Sequence, residues 1–496
     1  MEIVKDYCCL EQNAAVFTKS IEVENDFQEA LPAYCEDIYR VVKCSAKSCI
    51  VSADISFNEV NIRGKIAVCL SYYNENSDLC FADFEEDFQK SVNIGQVSEN
   101  AFICPFIFDK YVSFRVINQR RIDVHISSVI RLTVYDKLKC PQLCSCDASR
   151  LKTETVSAAD IVNTHIAKME FDEEFTIPAD SQPIKRIISF HTTACMNELK
   201  IIKDKALMKA VVSLTVLYTT DEAEEQLSRC EYSLNVSKII DVPGIEDNDI
   251  SVSDIKVGNV YVKAKTSSGD NMNVISAFGE VVVTTVFLRE IQQKMITDGY
   301  LLRQRYQNSY ADYTCMVNGQ ALQENKMLNV SVDFAADMAE VKELSVTLSH
   351  PVFRNGKLLA QADIACLCVT DRGDITGVSA NKEIEIPIGN YDDAIASLSV
   401  CSVDYTLQQN GHMDIRLGVM LQAFAYQEQP FKVLSDITAL EETTDVPSLT
   451  VYYAKEKESV WNIAKNTSAD TAVIMRENNL TDDVLENDTV LIIPRA

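Results

Sequence analysis

The sequence RIDVHISSVIRLTV, residues 121–134, decides the fold class of this chain. Apolar residues occupy alternate positions along it: Ile122, Val124, Ile126, Ile130, Leu132 and Val134. The positions between them are mostly charged or hydroxylic. A period of two places one face of a β-strand against a core and the other face in solvent, as in antiparallel sheets.

The same alternation recurs along most of the chain. It is clear at residues 64–72, 210–218 and 413–423, and residues 274–288 form a comparable apolar stretch. Since each stretch is long enough for a strand and carries one apolar face, we predict a mainly β protein.

An internal repeat organises these strands. Residues 20–94 align with 166–240 without a gap, and the apolar pattern is kept. The aligned pairs include Pro32-Ala33 with Pro178-Ala179, Cys49 with Cys195, and Tyr72 with Tyr218. A third unit is expected from about 320 to 440. We therefore predict three tandem antiparallel β-rich, sandwich-like units at 1–150, 151–305 and 306–440.

The joins between the units look different. Ser157–Lys168 has apolar residues at a rough helical spacing, and residues 290–305 are polar enough to bridge two units. Residues 440–448 are acidic, contain Thr, Pro and Ser, and lack periodicity. We expect short helical pieces at the joins and a linker at 440–448.

The net charge excludes several classes of partner. Acidic residues number 73 and basic residues 46, which gives −27 over 496 residues. A field of that sign repels nucleic acid and argues against direct adhesion to anionic lipid. Because the sequence has neither ~18 consecutive apolar residues nor a basic stretch before an apolar run near Met1, we expect a cytoplasmic protein without membrane insertion.

The cysteines do not form a recognisable framework. They number 17, and their spacing is irregular, including that of Cys140, Cys144 and Cys146. Zinc would require a fourth ligand and usually a second close pair. We therefore expect reduced, partly buried thiols and no metal site.

Catalytic constellations are also missing from the sequence. The five histidines form no close metal pair, and no phosphate-binding or nucleophile motif occurs. Acidic clusters at 83–87 and 221–225 follow equivalent strands and are interpreted as solvated turns. We expect neither a catalytic residue nor a cofactor, and hence a chain that is not an enzyme.

The C-terminal residues 449–496 change character. A short strand at 449–453 precedes a helix from Val460, with Ser459 as its cap, and a second helix capped by Asp470. Residues 489–493 then form a closing strand. The predicted order is strand, helix, helix, strand, a small α+β module of βααβ type.

This module resembles a LysM domain over some 40 positions. The matching positions are Tyr453, Ser459, Trp461, Ile463-Ala464, Ile474, Asn478 or Asn479 followed by Leu480, and Leu491-Ile492-Ile493-Pro494. Such domains usually bind N-acetylglucosamine glycans such as peptidoglycan, in a groove between two loops. The family usually has Gly-Asp where this chain has Lys457-Glu458, and Gly where it has Asn487-Asp488.

Tandem β units followed by one LysM-like module resemble the SipL/SPOCS-domain sporulation proteins. The repeat features that carry the resemblance are the two Pro-Ala pairs, the strands ending at Tyr72 and Tyr218, and Arg120-Arg121. The resemblance implies a spore-coat scaffold in the mother-cell cytoplasm, at the forespore surface. It further implies as partners the coat ATPase, a stage IV sporulation protein A-like protein, and other coat proteins.

By the LysM resemblance, the binding residues lie in the two loops. They are Lys457, Glu458, Ser459, Val460, Trp461, Asn478, Asn479, Leu480, Thr481 and Asp482. In a cytoplasmic protein without the loop glycine, we expect these loops to bind a protein. The alternative is a peptidoglycan-binding cell-wall protein. For Trp461, Ile463 and Ile474, core packing of a tiny domain is the simpler interpretation and is favoured over binding.

Overall fold

The structure is a computed structural model that describes residues 4–177, 182–220, 227–266, 272–302, 304–334, 338–408, 411–442 and 449–494. Within these ranges it contains twenty-one strands and two short helices, and all strand pairs are antiparallel. The prediction of a mainly β protein with several antiparallel sheets is confirmed.

Three sets of strands follow one another in the same order. Unit 1 comprises β1 (Lys5–Ala30), β2 (Arg40–Ser56), β3 (Glu59–Tyr73), β4 (Leu79–Asn93), β5 (Phe102–Asn118) and β6 (Arg121–Cys146). Unit 2 comprises β7 (Ser149–Thr176), β8 (Ile184–Ile202), β9 (Lys205–Thr220), β10 (Leu227–Asp241), β11 (Ile250–Thr266) and β12 (Met272–Leu301). Unit 3 comprises β13 (Gln304–Asp333), β14 (Met338–Leu348), β15 (Val352–Arg354), β16 (Lys357–Thr370), β17 (Ile375–Pro387), β18 (Asp393–Leu407) and β19 (His412–Glu442).

Each unit pairs its first strand with its last, β1 with β6, β7 with β12, and β13 with β19. The last strand also pairs with the one before it, β5, β11 or β18. The remaining strands form a second sheet, β2-β3-β4, β8-β9-β10 or β14-β16-β17 with β15. The two sheets of a unit enclose its core, which is the arrangement of a β-sandwich.

The alternating pattern explains these cores. The even-numbered apolar residues from Ile122 to Val134 are all buried and pack against buried residues of β3 such as Ile66 and Leu70. Units 2 and 3 have corresponding cores of their own.

The paired first and last strands extend beyond the sandwiches and meet in a common bundle, which we call the stem. Its core draws on all three units and includes Leu10, Cys140, Ala158, Met295, Tyr313 and Val433. Met316 of β13 pairs with Ala159 of β7, so that units 2 and 3 share one six-stranded sheet. The stem therefore joins units 2 and 3 by main-chain pairing and all three units by apolar packing.

The predicted helical pieces at the joins are wrong. Ser157–Lys168 lies within β7, and residues 290–301 lie within β12, its antiparallel partner. The apolar spacing there fits a strand as well as a helix, and pairing over the length of β12 decides between them. Of the predicted linker, residues 443–448 lie outside the described ranges, as do Pro178-Ala179.

The prediction for the acidic clusters is wrong where it can be compared. Residues 83–87 lie inside β4, paired with β3, and Asp83 and Glu85 are half-buried. Residues 221–225 lie outside the described ranges.

Four cysteines depart from the expectation of reduced thiols. Cys8 of β1 is joined to Cys144 of β6, and Cys195 of β8 to Cys401 of β18. The first disulfide connects neighbouring strands, whereas the second connects unit 2 with unit 3. The partners are separated by 136 and 206 residues, so no local spacing marks them.

The two disulfides lead to a prediction that can be checked by counting free thiols. Alkylation of the unfolded, unreduced protein should label thirteen cysteines, and mass spectrometry should recover the two cross-linked peptide pairs. Reduction should raise the count to seventeen and lower the free energy of unfolding by about 2–4 kcal/mol per disulfide. The matched control is Cys366→Ser, which removes a free buried thiol. Twelve cysteines should be labelled in this variant before reduction. Seventeen labelled cysteines before reduction would contradict both disulfides.

Candidate partner-binding site in the C-terminal module

The C-terminal module contains β20 (Leu449–Ala454), α1 (Val460–Thr467), α2 (Thr471–Glu477) and β21 (Thr489–Pro494). Strands β20 and β21 pair from Leu449↔Pro494 to Ala454↔Thr489. Buried Val460, Ile463, Ile474 and Leu491 form its core. The elements lie where the sequence predicts them, and they place the loop before α1 and the loop after α2 on either side of residues 483–485.

The start of α1 differs from the prediction that Ser459 caps it. Ser459 stands at the cap position, but its side chain makes no capping hydrogen bond and donates instead to Oδ2 of Asp483 at 2.7 Å. Oδ1 of Asp483 accepts from the main-chain N–H of Trp461 at 2.9 Å. Asp483 therefore supplies the cap from across the module. Asp470 caps α2 as predicted, accepting from Ala472 N–H at 2.9 Å.

The loop before α1 keeps a backbone conformation suited to glycine. Lys457 has φ +68°, in the left-handed region that glycine enters at little cost, and its side chain is exposed. Glu458 is half-buried and accepts from the hydroxyl of Tyr452 at 2.6 Å and from Lys455 N–H at 3.0 Å. The hydrogen bond from Tyr452 is the main cause of a lowered pKa of Glu458. This loop is thus fixed by its own contacts, with Lys457 projecting into solvent.

The loop after α2 divides into a structural part and an exposed part. Asn478 donates to the carbonyls of Ile474 and Ile492 and accepts from Ile492 N–H, at 2.7–2.8 Å. Leu480 is half-buried against the module core. The exposed residues are Asn479, Thr481 and Asp482.

Residues 483–485 bring the two loops together. Val460 N–H donates to the carbonyl of Asp483 at 2.7 Å, and Leu485 N–H to that of Glu458 at 3.1 Å. Val484 lies between them with 53% of its surface exposed. The predicted residues that remain open to a partner are therefore Lys457, Asn479, Thr481 and Asp482. All four are polar side chains that can hydrogen-bond, and Lys457 and Asp482 can also form ion pairs.

Trp461 is engaged within the chain. Its indole N–H donates to Oδ2 of Asp298 at 3.0 Å, and its ring meets that of Tyr300 edge-on, at 5.0 Å between centroids. Val460, also predicted to bind, is fully buried. Trp461 therefore holds the module against the end of β12, which no sequence signal indicates, whereas Val460 belongs to the module core.

Polar contacts reinforce this docking against the end of the stem. Lys465 Nζ lies 2.7 and 2.8 Å from the two oxygens of Asp298. Burial raises the pKa of Asp298, but hydrogen bonds from Lys465 and Trp461 outweigh burial, so that the pKa is lowered overall. Arg150 forms an ion pair with Asp470, and the Tyr300 hydroxyl donates to the carbonyl of Ala469 at 2.9 Å.

No group of histidine, cysteine and carboxylate side chains within the described ranges could hold a metal ion. Cys144, expected to be a reduced thiol, is paired with Cys8. Neither of the two described helices has the length and the apolar character needed to cross a bilayer.

Comparison with known families identifies one part of the chain. Residues 183–265, from the start of β8 to the end of β11, match the family described as SipL, SPOCS domain. No curated protein and no solved structure matches the chain. The match supports the predicted SPOCS resemblance for unit 2 and indicates a sporulation-related role.

Proposed function

We propose that this chain is a non-enzymatic scaffold of spore-coat assembly, which acts in the mother-cell cytoplasm at the forespore surface. The SPOCS match at 183–265 carries the proposal. Units 1 and 3 repeat the strand order of unit 2, so that the matched element is one of three similar bodies on a common stem.

The module would then be the adaptor, with Lys457, Asn479, Thr481 and Asp482 as its contact face. These residues are exposed, while the docking against Asp298 and Tyr300 uses Trp461 of α1. A protein partner is favoured over a glycan because the side chain of Lys457 occupies the place where close backbone approach requires glycine. The partners proposed are the stage IV sporulation protein A-like ATPase and other coat proteins.

The contact face can be tested by binding of the full chain to the immobilised coat ATPase. Asp482→Arg should weaken binding roughly tenfold or more, since it reverses a charge within the proposed contact face. Asp404→Arg makes the same change at an exposed residue of β18 in unit 3, and this variant should bind as the unaltered chain does. Equal binding by all three proteins would rule out this face.

The second candidate is peptidoglycan binding, and one observation favours it. The left-handed backbone of Lys457 preserves the loop shape that a glycine would give. Titration of the full chain with chito-oligosaccharides should show no saturable binding if the module is a protein adaptor. Saturable binding that is lost in Asp482→Arg would replace the adaptor function by a glycan-binding one.

A further inference from the structure

A cavity of about 350 Å³ lies where the three units meet. Its walls include β2 of unit 1, β8 of unit 2 and β14 of unit 3, each an edge strand of its sheet. The exposed lining residues Lys110 and Tyr111 mark its opening to solvent. A volume of this size is in the range of small-molecule sites.

Two of the ammonium groups in the cavity are already engaged. Lys43 Nζ lies 2.5 Å from Oε1 of Glu343, and both side chains are largely buried. Lys47 Nζ donates to the carbonyl of Thr192 at 2.7 Å. At the opening, Lys110 forms an ion pair with Glu22. Lys43 and Lys110 are therefore paired with carboxylates of the chain, whereas Lys47 is hydrogen-bonded to a neutral carbonyl.

Of the carboxylates that line the cavity, Glu343 pairs with Lys43 and Glu85 with Lys65, but three others have no such partner among the described residues. Asp83, Asp109 and Asp363 line it and form no ion pair within the described part of the chain. Burial raises the pKa of Asp83, and burial together with Asp109 raises that of Asp363 to about 6. Ionised carboxylates in such surroundings are costly unless a cation compensates them.

A second, independent observation concerns hydrogen-bond acceptors. Thr192 Oγ1, Asn259 Oδ1 and Glu343 Oε2 belong to cavity-lining side chains that are more than nine-tenths buried, and none has a hydrogen-bond partner. Nε2 of cavity-lining His191 also lacks one, and burial lowers the pKa of His191 well below its usual value. The neutral ring leaves that nitrogen able to accept a hydrogen bond. Asn259 Oδ1 and ionised Glu343 Oε2 can only accept and therefore require donors, whereas the Thr192 hydroxyl and the His191 ring can accept or donate.

Aromatic side chains complete the wall. Phe84, Tyr111, Phe190 and Tyr261 all line the cavity. Aromatic faces attract ammonium and guanidinium groups, most strongly where water is excluded.

We propose that the central cavity binds an organic cation rich in N–H donors, held by Asp83, Asp109 and Asp363 and by the unsatisfied acceptors around them. An ammonium group of this kind is carried by a free polyamine or by the lysine side chain of an extended peptide. The chemistry of recognition is the same in both cases.

Calorimetric titration of the full chain at 150 mM salt tests the site, because salt of this strength screens diffuse attraction to the acidic surface. The probes are spermidine, the blocked tripeptide acetyl-Val-Lys-Val-amide and, as a control, acetyl-Val-Glu-Val-amide. Either of the first two should bind saturably at one site, and the acidic peptide should not. Binding by spermidine alone identifies a free amine, and binding by the lysyl peptide identifies a peptide-borne one.

Two double variants distinguish the cavity from the surface. Asp83→Asn with Asp363→Asn should weaken binding tenfold or more, whereas Asp54→Asn with Asp404→Asn, at exposed sites, changes the charge equally and should leave it unaltered. Ala67→Met, which narrows the cavity without changing charge, should also weaken binding. This variant tests the cavity independently if the double variant fails to fold. Absence of saturable binding to both cationic probes, or an equal loss in the surface variant, overturns the proposal.

Discussion

Glu343→Ala should lower the free energy of unfolding by about 3–5 kcal/mol, because it leaves the ammonium group of Lys43 buried without its partner. Glu343 is 1% exposed, and its contact with Lys43 joins unit 3 to unit 1 across 300 residues of sequence. Urea unfolding followed by circular dichroism measures the change. The double replacement Lys43→Met with Glu343→Leu should recover much of the loss, since it removes both charges and keeps the volume.

A matched control lies on the same strand. Glu340 pairs with Lys342, but the Glu340 side chain is 58% exposed, and Glu340→Ala should cost no more than about 1 kcal/mol. If Glu343→Ala lowers the free energy of unfolding no more than the control does, the buried pair makes no special contribution to stability.

The effect of Glu343→Ala should depend on pH. Burial raises the pKa of Glu343, but attraction to Lys43 outweighs burial, so that the folded pKa lies below the ordinary value of 4.5. The pair therefore contributes fully above pH 4.5, and its contribution is lost as the pH falls through the folded pKa. The difference between variant and unaltered chain should shrink in acid.

Tyr300→Ala should release the C-terminal module from the stem. Tyr300 is fully buried, packs among the module's core residues and meets Trp461 edge-on, so that truncation should cost about 3–5 kcal/mol. Trp461 is the sole tryptophan, and its fluorescence reports the docking directly. We expect its emission to shift to longer wavelength in the variant, as water reaches the indole.

The control is Tyr300→Phe, which keeps the ring and removes the hydroxyl bonded to Ala469. It should cost only about 1 kcal/mol and leave the emission unchanged. An unshifted spectrum for Tyr300→Ala would mean that Asp298 and Lys465 hold the module without the aromatic contact.

The sequence is informative wherever one face of an element is buried. Alternation along 121–134 correctly gives both the strand and its core face, because burial of every second residue is what the pattern records. In 157–168 the same reasoning fails, since Ile161 and Ile166 suit either a helix or a strand. There the partner strand β12 decides, and pairing at that distance leaves no local trace.

The candidate site shows the same division. The cap at Asp470 is a contact between near neighbours and is predictable, whereas Asp483 caps α1 from 22 residues away. Trp461 fits core, binding loop and docking surface equally well until Asp298 is placed beside it. Asp83 and Asp363 likewise line the same cavity only because the three units pack together. No local sequence pattern near either residue predicts that cavity.

The length of the stem strands has a consequence for how the protein could work. On β12, Val281 pairs with cavity-lining Val257, and Asp298 holds the module. At roughly 3.3 Å per residue, a strand covers on the order of 55 Å between these two points. The two proposed binding sites therefore lie far apart along one strand, at the cavity and at the module. A small partner bound by the module would then not reach the cavity opening. The proposed partner and the proposed organic cation could therefore bind at the same time.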